Sequence, residues 1–232
     1  MAELQRRLGR LGFDAGRVDG IFGPLTARAL DDFQRNIGLP PDGVCGYDTI
    51  HALQRLGDRV QGPSIAAVRE AEQLRRAPRT LAGRRIVVGQ LGAMGIVARA
   101  VARALRQTGA TVMALDEPDG SAQAQAANRF GADLYLGLAP TDEAVTIAYY
   151  AVPGFESVGG RRLAGLLHER VATVLTAVSD GPQGMRLPVL RETRMPAVLC
   201  EFGPVREVVR STPKVVLGVV GAVTCWVETP EV

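Results

Sequence analysis

Histidine is almost missing from this sequence, with only His51 and His168 in 232 residues. That scarcity bears on any chemistry that needs an imidazole, since hydrolytic zinc sites and most acid–base catalysts rely on one. Cysteine is scarce as well. Cys45, Cys200 and Cys225 are odd in number, lie far apart and form no CxxC pair, so neither a disulfide framework nor a structural zinc site is suggested. They read as buried, reduced thiols. No charge of one sign dominates: 27 basic against 24 acidic residues leave +3, and no basic run is interleaved with aromatics. Nucleic acid is therefore not an expected partner. Long apolar runs are missing too. The most apolar stretch, KVVLGVVGAVTCWV, is short for a bilayer and ends near Glu228, so it reads as a buried final helix. The opening MAELQRRLGR has no apolar core of the kind a secretory leader needs. A cytoplasmic protein without a membrane span is expected.

What is present begins with an internal echo. DGIFGPLTARAL at Asp19 to Leu30 is answered by DGVCGYDTIHAL at Asp42 to Leu53, and both fit D-G-x-x-G-x-x-T-x-x-A-L. Each copy reads as a turn followed by a helix. Asp19-Gly20 and Asp42-Gly43 supply the tight turns, and the second glycines, Gly23 and Gly46, are expected to permit positive φ. Thr26 and Thr49 stand where an apolar helix begins, as candidates for capping that helix or bracing the turn. Leu4, Leu8 and Leu11 recur at helical spacing before the first copy, with Gly12 as the stop, and Ala27, Leu30 and Phe33 form a second stripe. Three short helices over residues 1–57 are predicted, near the lower size limit for independent folding. Residues 58–83 read as a polar linker with a short helical run, and residues 84–232 as a second domain.

In that second domain strand and helix signals alternate. RIVVG, TVMAL, ADLYLGLA, TIAYYAV and PAVLCEFG read as strands, separated by helical runs with glycine stops at Gly109 and Gly131. The pattern predicts an α/β domain with a mostly parallel central sheet flanked by helices. The strand-turn-helix around GQLGAMG invites a dinucleotide reading, with Asp116 after the next strand. The spacing argues against it. Glycines fall at Gly89, Gly92 and Gly95, with Gln90 where the G-x-G-x-x-G fingerprint wants a glycine.

Two resemblances carry the functional expectation. The segment from LQRRLGRLGF to GYDTIHAL, including Phe33-Gln34 and Gly38-Leu39, resembles the peptidoglycan-binding domain found beside many cell-wall hydrolases. This implies a small all-α fold and binding of a peptidoglycan fragment. VLRETRMPAVLCEFG and AANRFGADLYLGLA resemble the closing signature and the asparagine helix of zinc-dependent N-acetylmuramoyl-L-alanine amidases, a likeness running from Arg84 to about Val223. In that family two histidines and a glutamate hold the zinc, and a further glutamate acts as general base. Here Gly92 matches the first histidine and Ala139 the second, and no acidic residue lies between Arg85 and Arg106 to match the ligand glutamate. Glu201 alone is retained, at the general-base position. Asp142 and Glu143 are nearby acids that do not make up a ligand set, and Cys200 has no histidine to activate it.

The resemblance thus implies a pseudoenzyme without metal or other cofactor, similar to the actinobacterial pseudo-amidases that regulate precursor synthesis. In those, the partner is MurA, the enolpyruvyl transferase opening the precursor pathway, and a serine/threonine kinase exerts control. Gln90, Ala139 and Glu201 are the candidate cleft residues. A residual amidase and a plain wall-binding module remain as alternatives. This chain departs from the pattern in having one binding module where two are expected, and in lacking an extended C-terminal tail.

Overall fold

The apolar stripes of the first residues fold as three helices, α1 (Ala2–Arg10), α2 (Pro24–Asn36) and α3 (Tyr47–Arg59). The computed structural model describes residues 1–11, 13, 15–16, 20–59, 65–152 and 155–229. The chain divides into two compact units, Met1–Glu70 with Val152–Glu156, and Ala71–Ala151 with Ser157–Val232. In the front unit Leu8, Leu30, Phe33 and Leu53 form the core, with the Phe13 ring edge-on to Phe33 at 5.5 Å. Leu4 and Leu11 pack at its margin.

Two buried glutamines hold the turns between these helices. Gln5 accepts the Gly20 N–H at 2.9 Å and donates to the Ile21 carbonyl at 3.0 Å and to Thr26 Oγ1 at 3.3 Å. Gln34 repeats this one copy later: it accepts the Gly43 N–H at 3.1 Å and donates to the Val44 carbonyl at 3.0 Å and to Thr49 Oγ1 at 3.2 Å. The threonines therefore brace turns rather than cap helices. Thr26 donates to the Ala15 carbonyl at 3.0 Å, whereas the N-cap of α2 is Gly23, with no side-chain capping bond. The positive φ falls on the first glycine of each copy, Gly20 at +78° and Gly43 at +64°, not on the second as the pattern predicts: Gly23 has φ −101°. The tight Asp-Gly corner is what needs the left-handed conformation. Asp19 and Gly12 lie outside the described residues.

Hydrogen bonds from the Val44 N–H and the Gln34 amide hold the Asp42 carboxyl below the usual carboxylate range. A depressed folded-state value contributes stability above the ordinary aspartate pKa, and that contribution is lost as pH falls through the folded value.

Helix α4 (Ile65–Arg76) leads along the chain to the second unit's strands. These are β1 (Arg85–Gln90), α5 (Gly95–Gln107), β2 (Thr111–Asp116), α6 (Gly120–Phe130), β3 (Leu134–Pro140) and β4 (Thr146–Val152). There follow β5 (Phe155–Glu156, grouped with the front unit), α7 (Val158–Ala172), β6 (Gln183–Met185), α8 (Pro188–Glu192), β7 (Ala197–Phe202), α9 (Val205–Arg210) and α10 (Thr212–Glu228). The sheet runs β2-β1-β3-β7-β4, with the first four parallel, β4 antiparallel to β7, and β6 parallel to β4.

Strand alternation splits the sheet's side chains between two cores. Ile86, Val88, Leu136, Leu138 and Cys200 meet α5, α7 and α10 on one face. Val87, Tyr135 and Leu199 meet α6 and α8 on the other. The apolar final run is helical but not wholly buried: Val215, Val219, Ala222, Val223 and Trp226 face the core, while Leu217 is exposed. Among the described residues no helix is long and apolar enough to cross a membrane.

Replacing Gln34 by Ala removes its hydrogen bonds to Gly43, Val44 and Thr49 together, although the Val44 carbonyl keeps the Gly46 N–H at 2.8 Å. Urea denaturation of Gln34→Ala is expected to report a loss of about 1–3 kcal/mol, the cost of leaving buried polar groups unsatisfied.

Candidate functional site

Strand β1 feeds α5 on one face of the sheet, and β2 feeds α6 on the other. The connections diverge beside β1, so the crevice expected of an open α/β sheet lies at the carboxyl ends of β1 and β3. Gly92 follows β1 there, and Pro140 closes β3. The two are in contact. A Cβ on Gly92 would stand 3.1 Å from Pro140 Cδ and 3.2 Å from Cγ, and Gly92 itself holds φ +144°. A side chain at this position would press on the Pro140 ring and sit on a strained backbone.

The turn is also filled from within. Gln90 is only 8% exposed. Its Oε1 accepts the N–H groups of Gly92 (3.3 Å) and Met94 (3.2 Å), and its Nε2 donates to the Asp116 carboxylate. The turn amides that would cradle a pyrophosphate are thus already engaged by Gln90. Below the turn, Gln123 has no exposed surface. It accepts the Tyr135 hydroxyl at 2.7 Å and donates to the carbonyls of Gln90, at 2.9 Å, and Glu117. This packing explains Gly89, where a Cβ would come within 1.8 Å of Gln123 Oε1 and 2.7 Å of the Tyr135 hydroxyl.

Glu201 and Ala139 are register partners on β7 and β3 and share a sheet face, with Thr146 of β4 opposite Glu201. Gln90 is in register with Leu138 and points to the other face. The structure therefore brings Ala139 and Glu201 together and sets Gln90 apart from them, with its amide committed to the turn. Glu201 is half-buried, and its carboxylate makes no hydrogen bond or ion pair among the described residues. Its neighbour Cys200 faces the opposite core, where burial pushes its thiol well above the usual range.

Asn128 on α6 locks the segment before β7, donating to the Glu192 carbonyl at 2.8 Å and accepting the Arg194 N–H at 2.9 Å. After β7 the backbone passes so close to Thr141 that a Cβ on Gly203 would meet its carbonyl oxygen at 2.0 Å.

A zinc ion of the amidase kind needs three donor side chains, and these residues do not fit one. Gly92 and Ala139 offer no donor atom, which leaves Glu201 alone. Among the described residues no group of three His, Cys, Asp or Glu side chains is placed to hold a metal ion. His168 on α7 hydrogen-bonds the Ser179 carbonyl at 2.7 Å, and His51 lies in the front unit against Tyr47. Asp142 and Glu143 lie exposed after β3, where the Glu143 N–H caps Thr141 Oγ1 at 3.1 Å.

Sequence reasoning passed over Gln5 and Gln123, and gave Gln34 only as part of the Phe33-Gln34 pair, without its role in the turn. Gln5 and Gln34 had a signal, because Leu4-Gln5-Arg6 and Phe33-Gln34-Arg35 extend the echo upstream. Gln123 had none, since its partners come from three separate segments.

The class follows from the two folds. Residues 1–53 match the family model of a peptidoglycan binding domain. The second unit has the fold of the N-acetylmuramoyl-L-alanine amidases: the enzyme of Clostridium difficile 630 superimposes with a TM-score of 0.52 at 16% identity, over 63% of this chain and 98% of that one. One relative that matches along both parts is N-acetylmuramoyl-L-alanine amidase CwlM of Mycobacterium tuberculosis, 32% identical over 235 residues. That match takes in 88% of this chain, which spans 58% of CwlM's length. The spore cortex-lytic enzyme of Bacillus cereus is 53% identical over 51 residues, covering 22% of this chain and 20% of that enzyme.

Placing histidine at both positions is not expected to build a metal site on this backbone. The variant Gly92→His/Ala139→His is expected to retain no zinc after gel filtration, by metal analysis; one zinc per chain would contradict the Pro140 contact. Gly89→Ala is expected to cost about 1–3 kcal/mol of stability in a denaturant titration, the usual range for overpacking. In native alkylation followed by peptide mapping, Cys200 is expected to remain unmodified while Cys45 and Cys225 react.

Proposed function

We propose that this protein is a non-catalytic, amidase-like regulator of cell-wall metabolism that acts by binding. The observation that carries this reading is the donor set at the carboxyl ends of β1 and β3. Gly92 and Ala139 supply no ligand, and a Cβ on Gly92 would lie 3.1 Å from the Pro140 ring, on a backbone with φ +144°. Without an activated water, Glu201 has nothing to deprotonate in the amidase manner.

The front unit is the part assigned to a peptidoglycan fragment, on the strength of its family match over residues 1–53. The second unit is assigned to a protein partner. Resemblance to the actinobacterial pseudo-amidases, together with the 32% identity to CwlM, supports MurA as that partner, a serine/threonine kinase as the controlling enzyme, and a cytoplasmic site of action. CwlM bears the name of an amidase, so hydrolysis is the rival reading.

Incubated with purified sacculi, the full chain is expected to co-sediment with them and to release no stem peptide above a buffer blank. Glu201→Gln is expected to bind sacculi as the wild type does. Stoichiometric zinc together with stem-peptide release that disappears in Glu201→Gln would overturn the proposal in favour of a residual amidase. A pull-down with MurA that shows no complex would remove the partner assignment and leave a wall-binding module.

A further inference from the structure

A cavity of about 360 Å³ opens between α1 and α3 in the front unit, lined by Met1, Glu3, Leu4, Arg7, Cys45, Ile50, Leu53 and Gln54. That volume falls within the range of small-ligand sites, which are mostly apolar with a few directed polar groups. Leu53 is buried in the core and Leu4 and Cys45 pack at its margin, so they form an apolar floor. Apolar residues gather at the mouth instead of withdrawing from water. Of the lining residues, Ile50 is 43% exposed and Met1 is 53% exposed. Exposed apolar surface beside a cavity marks a binding place more often than isolated exposed side chains do.

The charge at the rim selects the ligand. Glu3 pairs with two guanidinium groups, Arg7 Nε at 2.9 Å and Arg6 Nε at 3.1 Å. One carboxylate between two arginines leaves the cluster positive. Arg7 meets Glu3 through Nε, and its two terminal nitrogens make no hydrogen bond among the described residues, so a carboxylate can take both in a bidentate pair. Gln54 adds an amide on the opposite wall that can donate to or accept from a peptide bond.

We propose that this cavity is the place where the chain takes a short peptide of small side chains ending in a free carboxylate, of the kind a wall stem peptide presents. Its methyl groups lie on Leu4, Ile50 and Leu53, and its carboxylate pairs with Arg7. The inference rests on the reading of the front unit as a peptidoglycan binder and adds which portion of the polymer is recognised and by which residues. A glycan reader would instead line its site with polar groups and leave Arg7 without a role.

Cys45 supplies the readout, because its thiol lines the cavity and burial pushes its pKa up, so modification is slow enough to follow. The full chain is treated with a thiol reagent and Cys45 is followed by peptide mapping, which separates it from Cys225. Trialanine and muropeptides bearing stem peptides are expected to slow Cys45 modification about tenfold at about ten times their Kd, since bound chains are withdrawn from the reactive population. Trialanine amide and N-acetylglucosamine oligomers are expected to leave the rate unchanged. Arg7→Gln and Ile50→Trp are expected to abolish the protection; Arg7 sits on the helix surface, so its variant tests the site even where Ile50→Trp fails to fold. Equal protection by the amide or by the sugar, or none by trialanine, overturns the proposal. Sacculus binding without Cys45 protection sinks this cavity alone, whereas loss of sacculus binding as well sinks the peptidoglycan reading beneath it.

Discussion

Gln123 stands without exposed surface between the carbonyl that ends β1, the loop that follows β2, and the hydroxyl of Tyr135 on β3. A buried amide costs heavily unless its hydrogen-bonding capacity is met, and here three separate segments must arrive together to meet it. The arrangement at the carboxyl edge of the sheet follows from this constraint. Gly89 is bare because Gln123 and Tyr135 occupy the space of its side chain. The turn after β1 is held tight by Gln90, whose amide reaches both the turn N–H groups and Asp116. With the turn held there, Gly92 abuts Pro140 where an open α/β sheet would offer its crevice.

The front unit solves a smaller version of the same problem. Its Asp-Gly corners leave backbone groups that a three-helix core cannot satisfy, and Gln5 and Gln34 reach from helices to bond them. The repeat therefore has a physical content beyond turn and helix. Each copy consists of a glutamine, a glycine with positive φ and a threonine, all meeting in one hydrogen-bonded knot. A core of this size has little apolar area to spare, so such knots weigh more than they would in a larger domain.

Much of the fold was legible in the residues. The alternation of strand and helix, the glycine stop at Gly131 (φ +64°) and the three front helices all follow from local periodicity and turn chemistry. The sheet's mixed character was not legible, because the antiparallel pairing of β4 with β7 depends on a contact between segments fifty residues apart. At the site, that Gly92 and Ala139 bring no donor side chain was readable from residue types alone. What fills the site was not. Gln90 is a plausible cleft residue in sequence, yet strand parity sends it to the face away from Glu201, and its amide is consumed by its own turn.

By itself, then, the sequence determined the local elements and the repeat, since each of these depends on residue type and short-range spacing. Only the tertiary structure decided which side chains share a face, why Gly89 and Gly92 bear none, and that a cavity with an arginine rim lies between α1 and α3. Those outcomes depend on register and on the meeting of distant segments in the chain, where a shift of one residue reverses a side chain's direction.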